Sequence, residues 1–263
     1  MDLGLKHRVA LVTGASRGLG FAIAQLLAEE GAQVAINSRN PQKLKEAAGM
    51  IQQKTGHEVI AVDGDVTQPE VPPILIENIV TRYNKLDILV ANAGGPPPGA
   101  FESFDDESWY KAIDLSFMSQ VRLIRAALPH LKNSSAASVL TITSISVKQP
   151  VPNLVLSNSI RAATVGLTKT LALELGNQGI RFNSILPSWT ETERVIELMS
   201  ARAKANGTSI EEEIEKQSRE SVFGRMAKPE EFARAAVFLV SPAASYLTGV
   251  MLAVDGGMYK GVL

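Results

Sequence analysis

A glycine-rich turn near the N-terminus constrains the fold of this chain more than any other feature. The turn is the segment Thr13–Gly20, which follows the apolar run 9–12 and opens a helical pattern over 21–28. Glycines in such a turn let the backbone approach a pyrophosphate, which then lies at the positive end of the helix. The spacing is Gly-x-x-x-Gly-x-Gly instead of the commoner Gly-x-Gly-x-x-Gly, and an isolated glycine pattern is often only a tight turn. The strand–turn–helix context therefore carries the prediction of a dinucleotide site.

Short apolar strands alternate with amphipathic helices along the rest of the chain. Strands are predicted at 9–12, 33–37, 59–62, 86–90, 138–143, 180–186 and 250–254, and helices after the first at 41–55, 72–83, 106–131, 153–175 and 229–239. This alternation predicts an α/β fold, a single-domain Rossmann-type, doubly wound parallel sheet of about seven strands over residues 1–263. The polar segment 191–225 is expected to be weakly helical and to form an insertion over the binding cleft.

Composition excludes several classes of function. The 263 residues carry a net charge of −1, which gives no electrostatic reason to expect nucleic acid or an anionic membrane as a partner. Cysteine is absent and the three histidines, His7, His57 and His130, are far apart, so no metal site is expected. The N-terminus does not resemble a signal peptide, and no apolar run approaches the roughly 18 residues of a membrane span. A cytoplasmic protein is predicted.

Five further motifs follow the glycine turn along the chain. They are Asp65-Val66, Asn92-Ala93-Gly94, Ser144, 187–192 and Asp255-Gly256-Gly257. In order and approximate spacing these motifs resemble the short-chain dehydrogenase/reductase family, close to its 3-oxoacyl-[acyl-carrier-protein] reductase branch. The resemblance covers the whole chain. It implies a seven-stranded Rossmann-type sheet, a small-molecule substrate, and a homotetramer (or homodimer) assembled through the two long helices.

The resemblance also implies cofactor contacts at particular positions. The turn residues Gly14, Ser16, Arg17, Gly18, Leu19 and Gly20 would line the pyrophosphate. Asp65 would meet the adenine amino group, with Val66 beside the ring. The nicotinamide end would contact Asn92, Ala93, Gly94, Arg161, Pro187, Thr190 and Thr192. Ser188 stands where the family commonly has glycine, so the turn there is expected to differ.

The choice of nicotinamide cofactor follows from the chemistry at the end of the second strand. A site for NAD needs an acidic residue there to hold the ribose hydroxyls. This chain has Ser38 and Arg39 at that point, and Arg17 in the glycine turn. Guanidinium groups bind phosphate through paired hydrogen bonds, so the sequence favours NADP(H), with NAD less favoured. The alternative is that Arg39 is an ordinary solvated cation of a loop.

The sequence departs from the family at the residues that perform catalysis. The family uses a tyrosine, a lysine four residues later, a serine and an asparagine. Counting from Ser144, the tyrosine and lysine positions hold Ser157 and Arg161, and the asparagine position holds Ser116. The tyrosines are Tyr83, Tyr110, Tyr246 and Tyr259, so shifting the alignment locally brings none of them to position 157.

These replacements weaken proton transfer more than cofactor binding. A serine hydroxyl is a much weaker acid than a phenol of pKa about 10. A free arginine side chain keeps its proton at neutral pH because its pKa is above roughly 12. Arg161 can still donate a hydrogen bond to the ribose and supply positive charge. Lys148 is weighed as a substitute acid against an ordinary solvated lysine. Asp114 is expected to be a carboxylate of the helix surface or of an interface, and the cluster Glu211–Glu213 a solvated helix face.

Three interpretations of function stay open. The first is an NADP-dependent oxidoreductase that acts on an unknown carbonyl or alcohol through an unconventional proton path. The second is a catalytically impaired nucleotide-binding sensor or partner subunit, and the third is a lyase or epimerase on the same scaffold. Because the fold does not determine the reaction, the site residues must decide. In the segment 191–225, Val195, Ile196 and Met199 form an apolar face that suits either a cleft wall or an ordinary amphipathic helix.

Overall fold

Parallel strands form one seven-stranded sheet in the computed structural model, which describes residues 1–262. The strands are β1 Val9–Val12, β2 Gln33–Ser38, β3 Val59–Asp63, β4 Ile88–Ala91, β5 Ser138–Ile142, β6 Arg181–Pro187 and β7 Met251–Val254. Their order in the sheet is β3-β2-β1-β4-β5-β6-β7, and each neighbouring pair is parallel. The predicted α/β class and doubly wound sheet are confirmed. Pro187, expected to break the sixth strand, is its last residue, opposite Val254.

Nine α-helices in the described chain connect or cover the strands. They are α1 Gly18–Glu29, α2 Pro41–Thr55, α3 Val71–Tyr83, α4 Asp106–Ile113, α5 Ser119–Leu131, α6 Val155–Leu175, α7 Glu193–Asn206, α8 Ile210–Ser218 and α9 Pro229–Val240. Asn40 and Asp105 cap α2 and α4 by accepting hydrogen bonds from the backbone N–H groups of Lys43 and Ser108. These short polar side chains suit helix N-termini because they satisfy N–H groups that have no partner within the helix.

The core lies on both faces of the sheet, and β1 shows how the sequence builds it. Ala10 and Val12 face a cluster formed with α1, α2 and α9, whereas Val9 and Leu11 face a cluster formed with α3, α5 and α6. All four side chains are fully buried. A strand buried on both faces needs a continuous apolar run, because alternate residues point to opposite sides.

The long helix predicted over 106–131 is interrupted, which corrects the sequence-based expectation. Residues Asp114–Met118 form a π-helical turn between α4 and α5. The wider turn locally changes which backbone N–H and carbonyl groups pair, and side-chain hydroxyls donate hydrogen bonds to carbonyl groups of the turn. Ser119 donates its hydroxyl to the carbonyl of Leu115 at 2.6 Å, and Thr164 of α6 donates to the carbonyl of Ser116 at 2.9 Å.

The segment 191–225 is more ordered than its weak helical pattern predicts. It contains α7 and α8, and α8 begins with a capping box in which Ser209 and Glu212 exchange hydrogen bonds. The expectation that Glu211–Glu213 is a solvated face is wrong for Glu213, which is 4% exposed. Its carboxylate accepts hydrogen bonds from Asn206 and Thr208, which satisfy the charge inside the loop between the two helices.

The sheet order places a crevice where the chain changes direction. β1 lies between β2 and β4, so the loops after β1 and β4 leave the sheet edge side by side and diverge. Ligands of open α/β sheets bind at such a point, beyond the carboxyl ends of the strands. None of the helices described within residues 1–262 combines the length and apolar character that crossing a membrane requires.

Candidate cofactor and substrate cleft

The glycine turn after β1 has a backbone that side chains would obstruct. Gly14 and Gly18 have φ angles of +59° and +61°, in the left-handed region that favours glycine. A Cβ atom on Gly14 would lie 2.8 Å from Nδ2 of Asn92, and one on Gly20 would lie 2.5 Å from the carbonyl oxygen of Gly14. The last two glycines open α1, so its first N–H groups face the crevice. This is the geometry that a pyrophosphate site needs.

The loop after β4 is tied to the glycine turn by reciprocal hydrogen bonds. The Thr13 hydroxyl donates to the carbonyl of Asn92 at 2.6 Å and accepts from the Asn92 backbone N–H at 2.9 Å. The side-chain amide of Asn92 donates to the carbonyl of Gly14 at 3.2 Å. Thr13 is fully buried, so the two loops are held as one unit beneath the cleft.

Most of the predicted site residues line one cleft of about 300 Å³. From the cofactor and catalytic predictions, the structure brings together Gly14, Arg17, Gly18, Leu19, Asn92, Ala93, Gly94, Ser144, Ser157, Arg161, Pro187, Thr190 and Thr192. Thr190 is 2% exposed, and among the described residues its hydroxyl has no hydrogen-bond partner. A buried hydroxyl at a cleft wall without a partner fits a polar ligand group.

The other predicted site residues lie outside the lining of this cleft. They are Ser16, Gly20, Ser38, Arg39, Asp65, Val66 and Ser116. Gly20 contributes through its tight packing on the turn. Asp65 accepts hydrogen bonds from the backbone and hydroxyl of Thr67, and its other oxygen lies 3.8 Å from the Arg39 guanidinium. The group at the ends of β2 and β3 therefore forms a shelf outside the cleft lining, on which Arg39 is exposed while Ser38 and Val66 are buried.

Ser144 and Ser157 present hydroxyl groups to the cleft from different elements. Ser144 follows β5, where it accepts a hydrogen bond from the backbone N–H of Ser146 at 3.1 Å and keeps its own hydroxyl proton to donate. Ser157 lies in the first turn of α6, and Arg161 lies one turn further along the same helix. Residues four apart share a helix face, so both reach the cleft from α6.

Arg161 is a cation beneath the cleft whose hydrogen bonds go to backbone oxygens. Its Nη1 donates to the carbonyls of Ile142 at 3.1 Å and Thr143 at 3.2 Å, at the end of β5. Burial and, to a lesser extent, the nearby charge of Arg194 lower the pKa of Arg161 to about 10. The group still carries its proton at neutral pH, and it supplies positive charge to the cleft.

Ser116 does not reach the cleft, in contrast to its prediction as a catalytic residue. It lies in the π-helical turn, is 1% exposed, and within the described chain its hydroxyl has no hydrogen-bond partner. Its carbonyl is the group in use, as the acceptor for Thr164.

Two further candidates have partners that their sequence context does not show. Lys148 lies with its Nζ 5.1 Å from the ring centre of Tyr259, so it is not simply a solvated loop lysine. This contact brings the C-terminal segment to the loop after β5. Asp114 forms an ion pair of 3.0 Å with Arg122, as a carboxylate at the helix surface can do.

Sequence reasoning missed part of the cleft wall. Only Val195 was anticipated as apolar lining among the other residues of the cleft wall, which are Gly95, Pro96, Ile142, Thr143, Ile145, Val151, Leu154, Ser188, Trp189, Glu193, Arg194, Val195 and Leu198. Ile196 is instead 45% exposed, and Met199 is fully buried against Met226. Arg194 lies two residues after Thr192, and this closeness to the cofactor motif was the sequence signal that could have placed it in the cleft.

Comparison with known proteins assigns the chain to a family. The sequence profile of a family described as enoyl-(acyl carrier protein) reductase matches residues 14–259. The 3-oxoacyl-[acyl-carrier-protein] reductase of Chlamydia trachomatis is 31% identical over 255 residues, which cover 97% of this chain and 98% of the relative. The chain belongs to the short-chain dehydrogenase/reductase family.

Solved structures agree with that assignment. The L-sorbose reductase of Gluconobacter frateurii, solved with NADPH and L-sorbose, is 34% identical, with a TM-score of 0.95 and full coverage of both chains. A short-chain oxidoreductase of Pseudomonas aeruginosa, solved with NADPH and described as containing an atypical catalytic center, is 31% identical, with a TM-score of 0.88. That alignment covers 97% of this chain and 98% of the other.

Proposed function

We propose that this protein binds NADP(H) and is an oxidoreductase that acts on a small carbonyl compound or the corresponding alcohol. The observation that carries the proposal is the single cleft shared by the glycine turn, the loop after β4, Thr190 and Thr192, and the group formed by Ser144, Ser157 and Arg161. The NADPH found in the Gluconobacter and Pseudomonas structures supports the same cofactor.

The residues of the cleft fit a dinucleotide. The open N-terminus of α1 and the side-chain-free turn at Gly14 and Gly18 would hold the pyrophosphate. The shelf beside the cleft would hold the adenosine end, where Arg39 and Ser38 suit a 2′-phosphate and Asp65 suits the adenine amino group. The hydroxyls of Thr190 and Thr192 would bind the nicotinamide end.

Bound NADPH would supply the hydride, and the chain must then hold the carbonyl oxygen and furnish a proton. Arg161 places a positive charge in the cleft, where a low dielectric strengthens its stabilisation of negative charge on that oxygen. Ser144 and Ser157 would donate hydrogen bonds to the same oxygen. A serine hydroxyl is too weak an acid to give up its proton unaided, so the proton would come from water through the Ser157 hydroxyl.

A second candidate function is a nucleotide-binding subunit that does not turn over. One observation favours it. Ser157 occupies the position of the family's proton donor, and none of the described residues that line the cleft is a tyrosine. General acid catalysis typically contributes about 10²–10⁴-fold in rate, so its loss leaves cofactor binding intact and turnover slow.

Cofactor titration tests the proposal directly. Trp189 lies in the cleft wall, so its fluorescence is expected to be quenched by NADPH, with an affinity at least about tenfold higher than that for NADH. The matched variants are W189F, which should lose the cleft signal, and W109F, which should keep it. Equal affinity for the two cofactors, or no binding, would overturn the proposal. NADPH oxidation with a panel of ketones and aldehydes then distinguishes the oxidoreductase from the non-turning-over subunit.

A further inference from the structure

Two guanidinium groups from different helices converge on one loop residue in the cleft. A Cβ atom on Gly95 would lie 3.6 Å from Nη2 of Arg161 and 3.7 Å from Nη2 of Arg194. Arg161 comes from α6 and Arg194 from α7, which brings the two groups together from opposite walls. The Arg194 side chain is fixed over the loop by a hydrogen bond of 2.9 Å to the carbonyl of Pro96.

Acidic side chains neutralise only part of the charge of this pair. Within residues 1–262, Arg161 forms no salt bridge, and its hydrogen bonds go to carbonyl groups. Arg194 has a carboxylate partner in Glu197 at 3.8 Å, which it shares with Arg17. Among the described residues, the charged members of the cleft lining are one acidic residue, Glu193, and three arginines, Arg17, Arg161 and Arg194. The cleft therefore carries an excess of positive charge.

The position of Arg161 separates that member of the pair from the pyrophosphate site. Arg161 binds backbone oxygens at the end of β5, whereas the glycine turn follows β1, and β4 lies between those two strands. Neighbouring strands are about 4.8 Å apart, so the backbone oxygens that hold Arg161 lie roughly 10 Å from the strand that carries the turn. Arg194 lies nearer to the turn, because it shares Glu197 with Arg17. The pair therefore extends from the end of β5 toward the cofactor turn.

The convergence of two like charges calls for an anionic ligand. The charge of Arg194 disfavours the charge on Arg161, and an anion between the two groups would relieve that repulsion. A carboxylate matches the planar fork of an arginine and accepts two hydrogen bonds from it. The remaining wall is apolar around Ile145, Val151, Leu154 and Leu198, which suits a short carbon chain attached to the anionic group.

We propose that the substrate is a short oxo acid, with Arg194 binding its carboxylate while Arg161 faces the reacting oxygen. This inference rests on the proposed oxidoreductase function. In a 2-oxo or 3-oxo acid the carboxylate and the carbonyl are at most one carbon apart, which suits two donors that converge on one residue. The carbonyl carbon accepts the hydride, its oxygen takes a proton from water through Ser157, and the products are the hydroxy acid and NADP⁺.

The test measures binding and does not depend on turnover. The probes are 2-oxopentanoate and its methyl ester, titrated calorimetrically into the protein with and without saturating NADP⁺. We expect the acid to bind at least about tenfold more tightly than the ester, because a charge-assisted pair is lost in the ester. In R194M this preference should vanish while the affinity for NADPH changes less than about twofold. The matched control is R219M, which removes an exposed arginine directly after α8.

The outcomes separate this inference from the proposed function. Equal binding of acid and ester to the wild-type protein, or no binding of the acid, would overturn the oxo-acid assignment even if NADPH binds. A loss of NADPH affinity in R194M with the acid preference retained would show that Arg194 serves the cofactor, which also overturns it. Failure of NADPH to bind would refute the proposed function and, with it, the role of the acid as a substrate. The carboxylate site at Arg194 is tested separately, because the acid preference is also measured without nucleotide. If R194M does not fold, R194Q is measured in the same way.

Discussion

The guanidinium of Arg17 in the glycine turn donates two hydrogen bonds, each 3.2 Å long, to Oε1 of Glu197 in α7. The two residues are 180 positions apart in the chain, and both side chains are about half exposed. The contact fastens α7 to the cofactor turn. It also occupies the arginine that the sequence predicts as a ligand of the 2′-phosphate, so Glu197 and that phosphate would compete for the same guanidinium.

Removal of the competing carboxylate should therefore favour NADPH selectively. In E197Q we expect NADPH to bind about two- to fivefold more tightly, since an exposed ion pair contributes roughly 0.2–1 kcal/mol, and NADH to bind as in the wild type. Fluorescence titration of both cofactors measures the difference. E30Q, which changes an exposed glutamate at the end of α1, is the control. Equal tightening for both cofactors would show that Arg17 does not recognise the 2′-phosphate.

Restoring the family's proton donor should raise reductase activity if the scaffold is otherwise competent. The double variant S157Y/R161K places a phenol and an ammonium group one helical turn apart, facing the cleft. We expect the rate of NADPH oxidation with a reducible ketone to rise by at least about 10²-fold, the usual contribution of a general acid. S157F/R161K has the same ring without the hydroxyl and should show no gain. A double variant that binds NADPH but is no faster would contradict the assignment of position 157.

Asp87 is predicted to be a major stabilising residue, although it lies outside the cleft. Its carboxylate is 2% exposed, and it accepts hydrogen bonds from the Val9 backbone N–H at 2.9 Å and the Ser134 hydroxyl at 2.5 Å. Burial raises the pKa of Asp87, but these hydrogen bonds and the charge of Lys85 outweigh burial and leave it below its ordinary value. D87N leaves buried donors unmatched and should lower the free energy of unfolding by about 2–4 kcal/mol.

Urea unfolding at neutral pH measures that loss. The matched control is D63N, which changes an exposed aspartate at the end of β3 and should shift the free energy of unfolding by less than about 0.5 kcal/mol. Similar losses in the two variants would show that the hydrogen bonds around Asp87 contribute little.

Features set by short stretches of sequence could be predicted, and those set by distant contacts could not. The strand–glycine–helix unit at 9–29 and the caps at Asn40 and Asp105 depend on neighbouring residues, and the structure has them as expected. The π-helical turn at 114–118 was missed because the donor to its carbonyl is Thr164, from another helix. The burial of Glu213 depends on Asn206 and Thr208 in the same way.

The candidate site divides along the same line. The cofactor motifs lie at strand ends, where the topology brings them together, so their meeting in one cleft follows from their order in the chain. Arg194 lies near Arg161 only because α7 folds back over the loop after β4, which local periodicity does not encode. The homotetramer and the cytoplasmic location stay predictions.

The ion pair between Arg225 and Glu231 gives a last prediction, on acid stability. Two hydrogen bonds of 2.7 Å from the Arg225 guanidinium, together with one from the Lys228 backbone N–H, lower the pKa of Glu231 to about 2. Because the folded-state pKa is below the unfolded value, the unfolded chain binds more protons between these two values. The contribution of Glu231 to stability is therefore complete above the unfolded pKa and is lost as the pH falls toward about 2.

Replacement of Glu231 should remove that pH dependence. Between about pH 5 and pH 2, the free energy of unfolding of the wild type should fall more steeply than that of E231Q, and the two should converge as the pH falls through about 2. Urea titrations at several pH values measure both slopes. E230Q alters the neighbouring exposed glutamate in the first turn of α9 and should keep the wild-type slope. Parallel curves for the wild type and E231Q would mean that the Arg225 fork does not persist in solution, because only a bound carboxylate has the lowered pKa that produces the slope.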